Sequence, residues 1–184
     1  SGTVNDLVVY AGSLYAAGSF DVCGMPNVNF AKWNGTVWQP LPGLNGRINT
    51  MEVMGTTLLL GGAFSYGMSA VNAIKWDAVS GFQAFANPVK NEVNDFEFFS
   101  GNIYAACRHT DPVDSLNLLL KLSGSTWYRA FTDTNYMAGF YPASAWYDYH
   151  ATKRSFNTLC AEVGSLSIGG EFIYSPMLGT NARN

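Results

Sequence analysis

The chain has 184 residues, 48% hydrophobic and 15% aromatic, which excludes a disordered tail and allows a substantial core. Charged residues make up 12%, against roughly 25% in an average soluble domain. A net charge of −3 leaves no basic field to grip phosphates, so nucleic acid is not expected as a partner. No apolar run approaches the ~18–20 residues of a membrane span, so no span is expected.

From the first residues onward the chain reads as short strands separated by glycine turns. Val4–Tyr10 predicts a strand, Gly12 a hairpin turn, and Leu14–Gly18 a second strand. A third strand carries Ala31-Lys32-Trp33. Asn34-Gly35 is a strong two-residue hairpin signal, and Trp38 opens a fourth strand. The same pattern returns in Ile48–Met54, Gly55, Leu58–Gly62, Ile74-Lys75-Trp76 and Phe82. It returns again in Val93–Phe99, Gly101, Ile103–Cys107, Leu120-Lys121-Leu122 and Trp127, with Ser123-Gly124 as a weaker form of the two-residue turn. A final copy gives Phe156–Val163, a turn at Gly164 and Leu166–Gly170, each second strand ending in small residues that would let sheets approach closely. No stretch holds a helical period, so the chain reads as all-β.

Val4, Ile48 and Val93 are spaced by 44 and 45 residues, a period that marks repeated supersecondary units. Four-stranded antiparallel units of that length describe the blades of a β-propeller. The expected blades are 3–45, 46–90 and 91–130, followed by an aromatic-rich insertion at 131–155 and a partial fourth blade at 156–184. The run G-S-L-Y-A-A-G-S-F…A-K-W-N-G-T-V-W resembles the kelch-like propeller repeats of secreted and surface-anchored bacterial proteins. Similar WNG…W repeats occur in fungal cortical polarity-marker proteins. The resemblance implies a propeller segment of about three and a half blades and an extracellular or cell-surface location. Propellers host many activities, so it implies no particular chemistry. Arg108-His109 in place of the Gly-x-Phe ending, Leu122 in place of tryptophan, and the insertion all depart from the pattern.

Several residues recur with the period. Asn5, Asn49, Asn94 and Asn157 could ring an axis as ligands, but such asparagines more often bond to backbone at a strand entrance. Lys32, Lys75 and Lys121 are expected to lay their stems on apolar surface with the ammonium in water. Trp33, Trp38, Trp76 and Trp127 are expected to pack between blades or at their edges. Cys23, Cys107 and Cys160 do not share a repeat position, so neither a repeated disulfide nor a metal framework is expected, and no cofactor.

Alternating strands place the first and third turns at one end of every blade. The segments 21–28, 42–47, 65–71, 86–92, 108–117, 131–155 and 173–184 then share the opposite end, where variable chemistry on a rigid scaffold belongs. The insertion gathers Tyr141, Trp146, Tyr147, Tyr149 and His150. These rings either stack on sugars or dock a protein, or they form the loop's own small core. Arg108, His109, Asp111 and Asp114 lie in one loop that His150 could approach, the nearest thing to acid–base or metal chemistry. Two histidines without paired-ligand spacing, and no phosphate-binding loop, give weak grounds for an enzyme. The expectation is a non-enzymatic module that binds a protein through the long-loop face. A lectin-like module using the aromatic insertion, or part of a polysaccharide-active propeller, are the alternatives. The ring is expected to be completed by further sequence or by another chain.

Overall fold

The computed structural model describes residues 2–108, 119–130, 155–163 and 165–171. Of the expected site residues, His109, Asp111, Tyr141, Trp146, Tyr147, Tyr149 and His150 lie outside these, as does Asp114. The chain is all-β, a propeller segment of consecutive antiparallel units. The first sheet is β1 (Gly2–Tyr10), β2 (Ser13–Phe20), β3 (Phe30–Trp33) and β4 (Trp38–Pro40), paired in chain order. The second is β5 (Leu44–Met54), β6 (Thr57–Tyr66), β8 (Ala73–Asp77) and β9 (Gly81–Ala84), with β7 (Ser69–Ala70) hairpinned onto the end of β6. The third comprises β10 (Glu92–Phe99), β11 (Asn102–Arg108), β12 (Leu119–Ser123) and β13 (Thr126–Arg129). A fourth hairpin, β14 (Ser155–Glu162) and β15 (Ser165–Glu171), joins the ladder of the third sheet at the pair Arg108↔Ser155 and packs along β10.

Successive first strands lie side by side, β1 against β5, β5 against β10, β10 against β14, so the units stack face to face like wedges. Burial follows the pleat. On β5, Ile48 and Met51 point back into a core shared with Tyr10, Tyr15 and Phe30 of the first blade. Trp76 completes that core, its ring 5.3 Å from those of both Tyr15 and Phe30 in edge-to-face contact. The next junction repeats the plan with Val93 and Phe96 against Leu59, Ala73 and Phe85. There Leu122 stands where the second blade has Trp76, and its cross-strand partner Trp127 fills the slot by stacking on Phe96 at 5.8 Å. The recurring tryptophans are packing residues.

Three details differ from the sequence expectation. Asn34-Gly35 does not form a two-residue turn, because Trp33 pairs with Trp38 and leaves four residues between them. The Asn34 carboxamide accepts the N–H groups of Thr36 and Val37, both at 2.9 Å, and this local bonding outcompetes the tight hairpin. Near the signal read as weaker, Ser123-Gly124, a two-residue turn does form, but its residues are Gly124 and Ser125, with Ser123 paired to Thr126 and Gly124 at φ 60°. Residues 44–47 and 65–66, expected as loop, extend β5 and β6 in register from Leu44↔Tyr66 onward. Small residues at the end of the second strand serve two purposes. A Cβ on Gly61 would meet Val93 and Phe96 of the next blade at 2.6 and 2.7 Å, as expected for close sheets. At Gly62 it would instead strike the backbone of Arg47 and Ile48 in its own blade.

Candidate functional site

Every first strand breaks register at its asparagine. The pairing slips between Val4 and Asp6, Ile48 and Thr50, Val93 and Asp95, and Phe156 and Thr158. A β-bulge re-aims the extra residue, and here it turns the carboxamide toward the neighbouring blade. Asn5 Nδ2 donates to Ile48 O at 2.8 Å, Asn49 to Val93 O at 2.9 Å and Asn94 to Phe156 O at 2.9 Å. The asparagines therefore bond to backbone, as expected, but across the junction rather than within their own strand. The following residue alternates Asp6, Thr50, Asp95, Thr158 and adds to the same seam. Asp6 accepts Met51 N at 2.6 Å, and Asp95 accepts Leu159 N at 2.8 Å and the Thr158 hydroxyl at 3.0 Å.

The long connections emerge where the first strands begin. At that rim Glu92, at the start of β10, is buried and faces two arginines. Arg47 of the second blade forms an ion pair with its Oε1, and Asn49 donates to the same oxygen at 3.0 Å. Arg108, directly across the ladder from Glu92, brings Nη1 to 4.0 Å from Oε2. Arg47 Nε is in turn held by Asn49 Oδ1 at 2.8 Å. Both arginine side chains stay about half exposed (47% and 48%) while the carboxylate is only 9% exposed. Two guanidiniums on one carboxylate leave one surplus positive charge within this three-residue group. Planar, permanently charged donors of this kind suit a carboxylate or other anionic group, and they do no acid–base work.

A second group lies along the first strands. Burial pushes the Glu52 carboxyl up to about 7, helped by Glu97, Asp95 and Asp6. Burial also raises Asp6, against the pull of the Met51 and Leu7 N–H groups. A carboxyl near neutrality is in the range of acid–base catalysts. Its charged neighbours are themselves carboxylates and desolvation is the largest cause of the shift, so partial burial beside like charges accounts for it. Among the described residues no group of three His, Cys, Asp or Glu is placed to hold a metal ion.

Of the sequence-predicted site residues the described structure contains Arg108, which is the last residue of β11, directly across the ladder from Glu92, rather than a loop residue. Sequence reasoning missed Arg47 and Glu92, although both directly precede the apolar-Asn pair of their repeats (Arg47-Ile48-Asn49, Glu92-Val93-Asn94), a charge pair at equivalent positions. It also missed Asn29 and Asn72, which stand three residues before Lys32 and Lys75. Both take positive φ (63° and 51°) and accept the N–H of Phe20 and Phe64 respectively, restarting the sheet after the loop. The lysines themselves do more than snorkel. Lys32, Lys75 and Lys121 hold their ammonium groups 5.8, 5.3 and 6.0 Å from the ring centroids of Tyr15, Phe85 and Tyr104. No protein-family model matches the chain, and no curated protein does either.

Proposed function

We propose that this chain is a non-enzymatic, kelch-like propeller module of a secreted or cell-surface protein, binding a protein partner through its long-loop rim. The observation that carries the reading is the Arg47–Glu92–Arg108 group, in which a buried carboxylate fixes two half-exposed guanidiniums at that rim. Arginine anchored in this way offers directional hydrogen bonds with little further ordering, a property of residues that dominate protein interfaces. The β6–β7 hairpin projects from the same end with Met68 fully exposed at its tip, supplying apolar surface beside the charge. The partner's matching surface is acidic.

The purified chain should be screened by surface plasmon resonance against extracellular proteins and on a glycan array. The reading expects protein binding that Arg47→Gln and Arg108→Gln weaken together by about 10-fold or more. Val79→Asp, at the opposite end of the second blade, should leave it unchanged. Glycan binding lost on Trp146→Ala would replace this reading with the lectin-like one. Polysaccharide turnover lost on His109→Ala, with the fold intact, would replace it with the enzymatic one.

A further inference from the structure

One turn carries more chemistry than the fold asks of it. Between β3 and β4, Asn34 N–H donates to Val37 O at 3.2 Å, and Asn34 Oδ1 accepts from the N–H groups of Thr36 and Val37, both at 2.9 Å. The second blade makes the same pair of side-chain bonds with Asp77, whose Oδ1 accepts from Val79 and Ser80 N–H at 2.8 and 2.7 Å. The third blade turns through Gly124 and Ser125. The scaffold therefore needs at most an Oδ acceptor at this place. Neither the Nδ2 of Asn34 nor the hydroxyl of Thr36 bonds to any group among the described residues.

Those two idle groups belong to an Asn-Gly-Thr sequence, the acceptor signal for an N-linked oligosaccharide. No other asparagine of the chain has Ser or Thr two residues on. Asn34, Gly35 and Thr36 are all exposed, and a Cβ on Gly35 would meet nothing within 4 Å, so the turn stands in open space. Because the strands alternate in direction, it lies at the end of the blade opposite the long-loop rim. A bulky polar group attached there meets solvent.

We propose that Asn34 is a glycosylation site, which receives an N-linked oligosaccharide when the chain passes through a eukaryotic secretory pathway. The donor is a lipid-linked oligosaccharide diphosphate. Asn34 Nδ2 forms a bond to the anomeric carbon, the bond from that carbon to the diphosphate oxygen breaks, and the lipid diphosphate leaves with the electron pair. One Nδ2 proton passes to a base of the transferase. Oδ1 keeps its lone pairs, so both of its turn bonds survive the modification. The inference rests on the secreted or cell-surface reading for its occurrence in the cell, and on none of the rim residues.

Expression of the full chain in a eukaryotic host behind a cleaved secretory signal, with recovery from membranes and medium, tests it. The expected result is a gel shift that peptide-N-glycosidase removes, with the modification mapped by mass spectrometry to the peptide containing Asn34. Thr36→Ser should keep the shift, while Thr36→Val and Asn34→Asp should lose it. Asn34→Asp retains an acceptor of the kind Asp77 supplies, so it should keep the parent circular dichroism spectrum. A translocated chain without glycan, or a shift that survives in Thr36→Val and Asn34→Asp, would overturn the site. The experiment supplies the signal, so that failure leaves the secreted reading standing. The natural protein found only in the cytosol would instead sink that reading, and the glycan's occurrence with it.

Discussion

Replacing Asn49 with alanine is the sharpest probe of how the blades are held together. Its Nδ2 donates to Val93 O and Glu92 Oε1, and its Oδ1 accepts Arg47 Nε. At about 0.5–1.5 kcal/mol for each bond, and somewhat more for those to charged groups, three lost bonds amount to about 2–4 kcal/mol. Asn5 makes one bond of this kind, to Ile48 O, so Asn5→Ala should cost about 1 kcal/mol. Asn49→Asp keeps the volume but sets an acceptor against the Val93 carbonyl and the Glu92 carboxylate, so it should cost at least as much as alanine. Urea denaturation followed by tryptophan fluorescence gives all three values. An Asn49→Ala cost below about 0.5 kcal/mol, or Asn49→Asp more stable than Asn49→Ala, would refute the reasoning.

Other consequences are open to measurement. Trp76→Ala empties the aromatic core between the first two blades and should cost about 3–5 kcal/mol, while Trp33→Ala, at the matching but half-buried position, should cost clearly less; equal costs in denaturant melts would contradict the packing scheme. With its carboxyl raised from 4.5 to about 7, Glu52 binds more protons folded than unfolded, so its penalty is absent below pH 4.5 and complete above pH 7. Because Glu52 is only partly buried, the roughly 3 kcal/mol implied by the full shift is screened to about 1–2. Glu52→Gln should stabilise the chain by that amount at pH 8 and by little at pH 4, and a stabilisation independent of pH would exclude this origin. Burial raises the Cys107 thiol, so native-state alkylation should modify exposed Cys23 and Cys160 and spare Cys107 until the chain unfolds. Early modification of Cys107, read by peptide mass spectrometry, would contradict its placement.

The architecture was legible because one pattern is written repeatedly, and alternating strands fix which connections share a rim. The strand cores centred on Val4–Tyr10, Ile48–Met54 and Val93–Phe99 follow directly from apolar runs ended by glycine turns. What the asparagines bind was harder to read. Sequence suggests that an asparagine at a strand entrance bonds to backbone, but only the bulge sends it across to the next blade. Asn34 misled for a related reason. Asn-Gly favours a tight turn through backbone conformation, whereas the carboxamide of Asn34 caught two N–H groups and opened the turn to four residues. Asp77 makes the same bonds to Val79 and Ser80, which hold its carboxyl below the usual range. The rim group was legible in part. Arg108 stood out as a departure from the repeat, while Arg47 and Glu92 pair across blades and become visible once equivalent positions are known to be neighbours.

The seam of carboxamides is the feature on which the account rests, and NMR can observe it bond by bond. Scalar couplings through the hydrogen bond should connect the side-chain nitrogens of Asn5, Asn49 and Asn94 to the carbonyl carbons of Ile48, Val93 and Phe156. Three such correlations are expected, one per junction. Side-chain amides that exchange with solvent at free rates and couple to none of these carbons would show that the blades are joined in some other way.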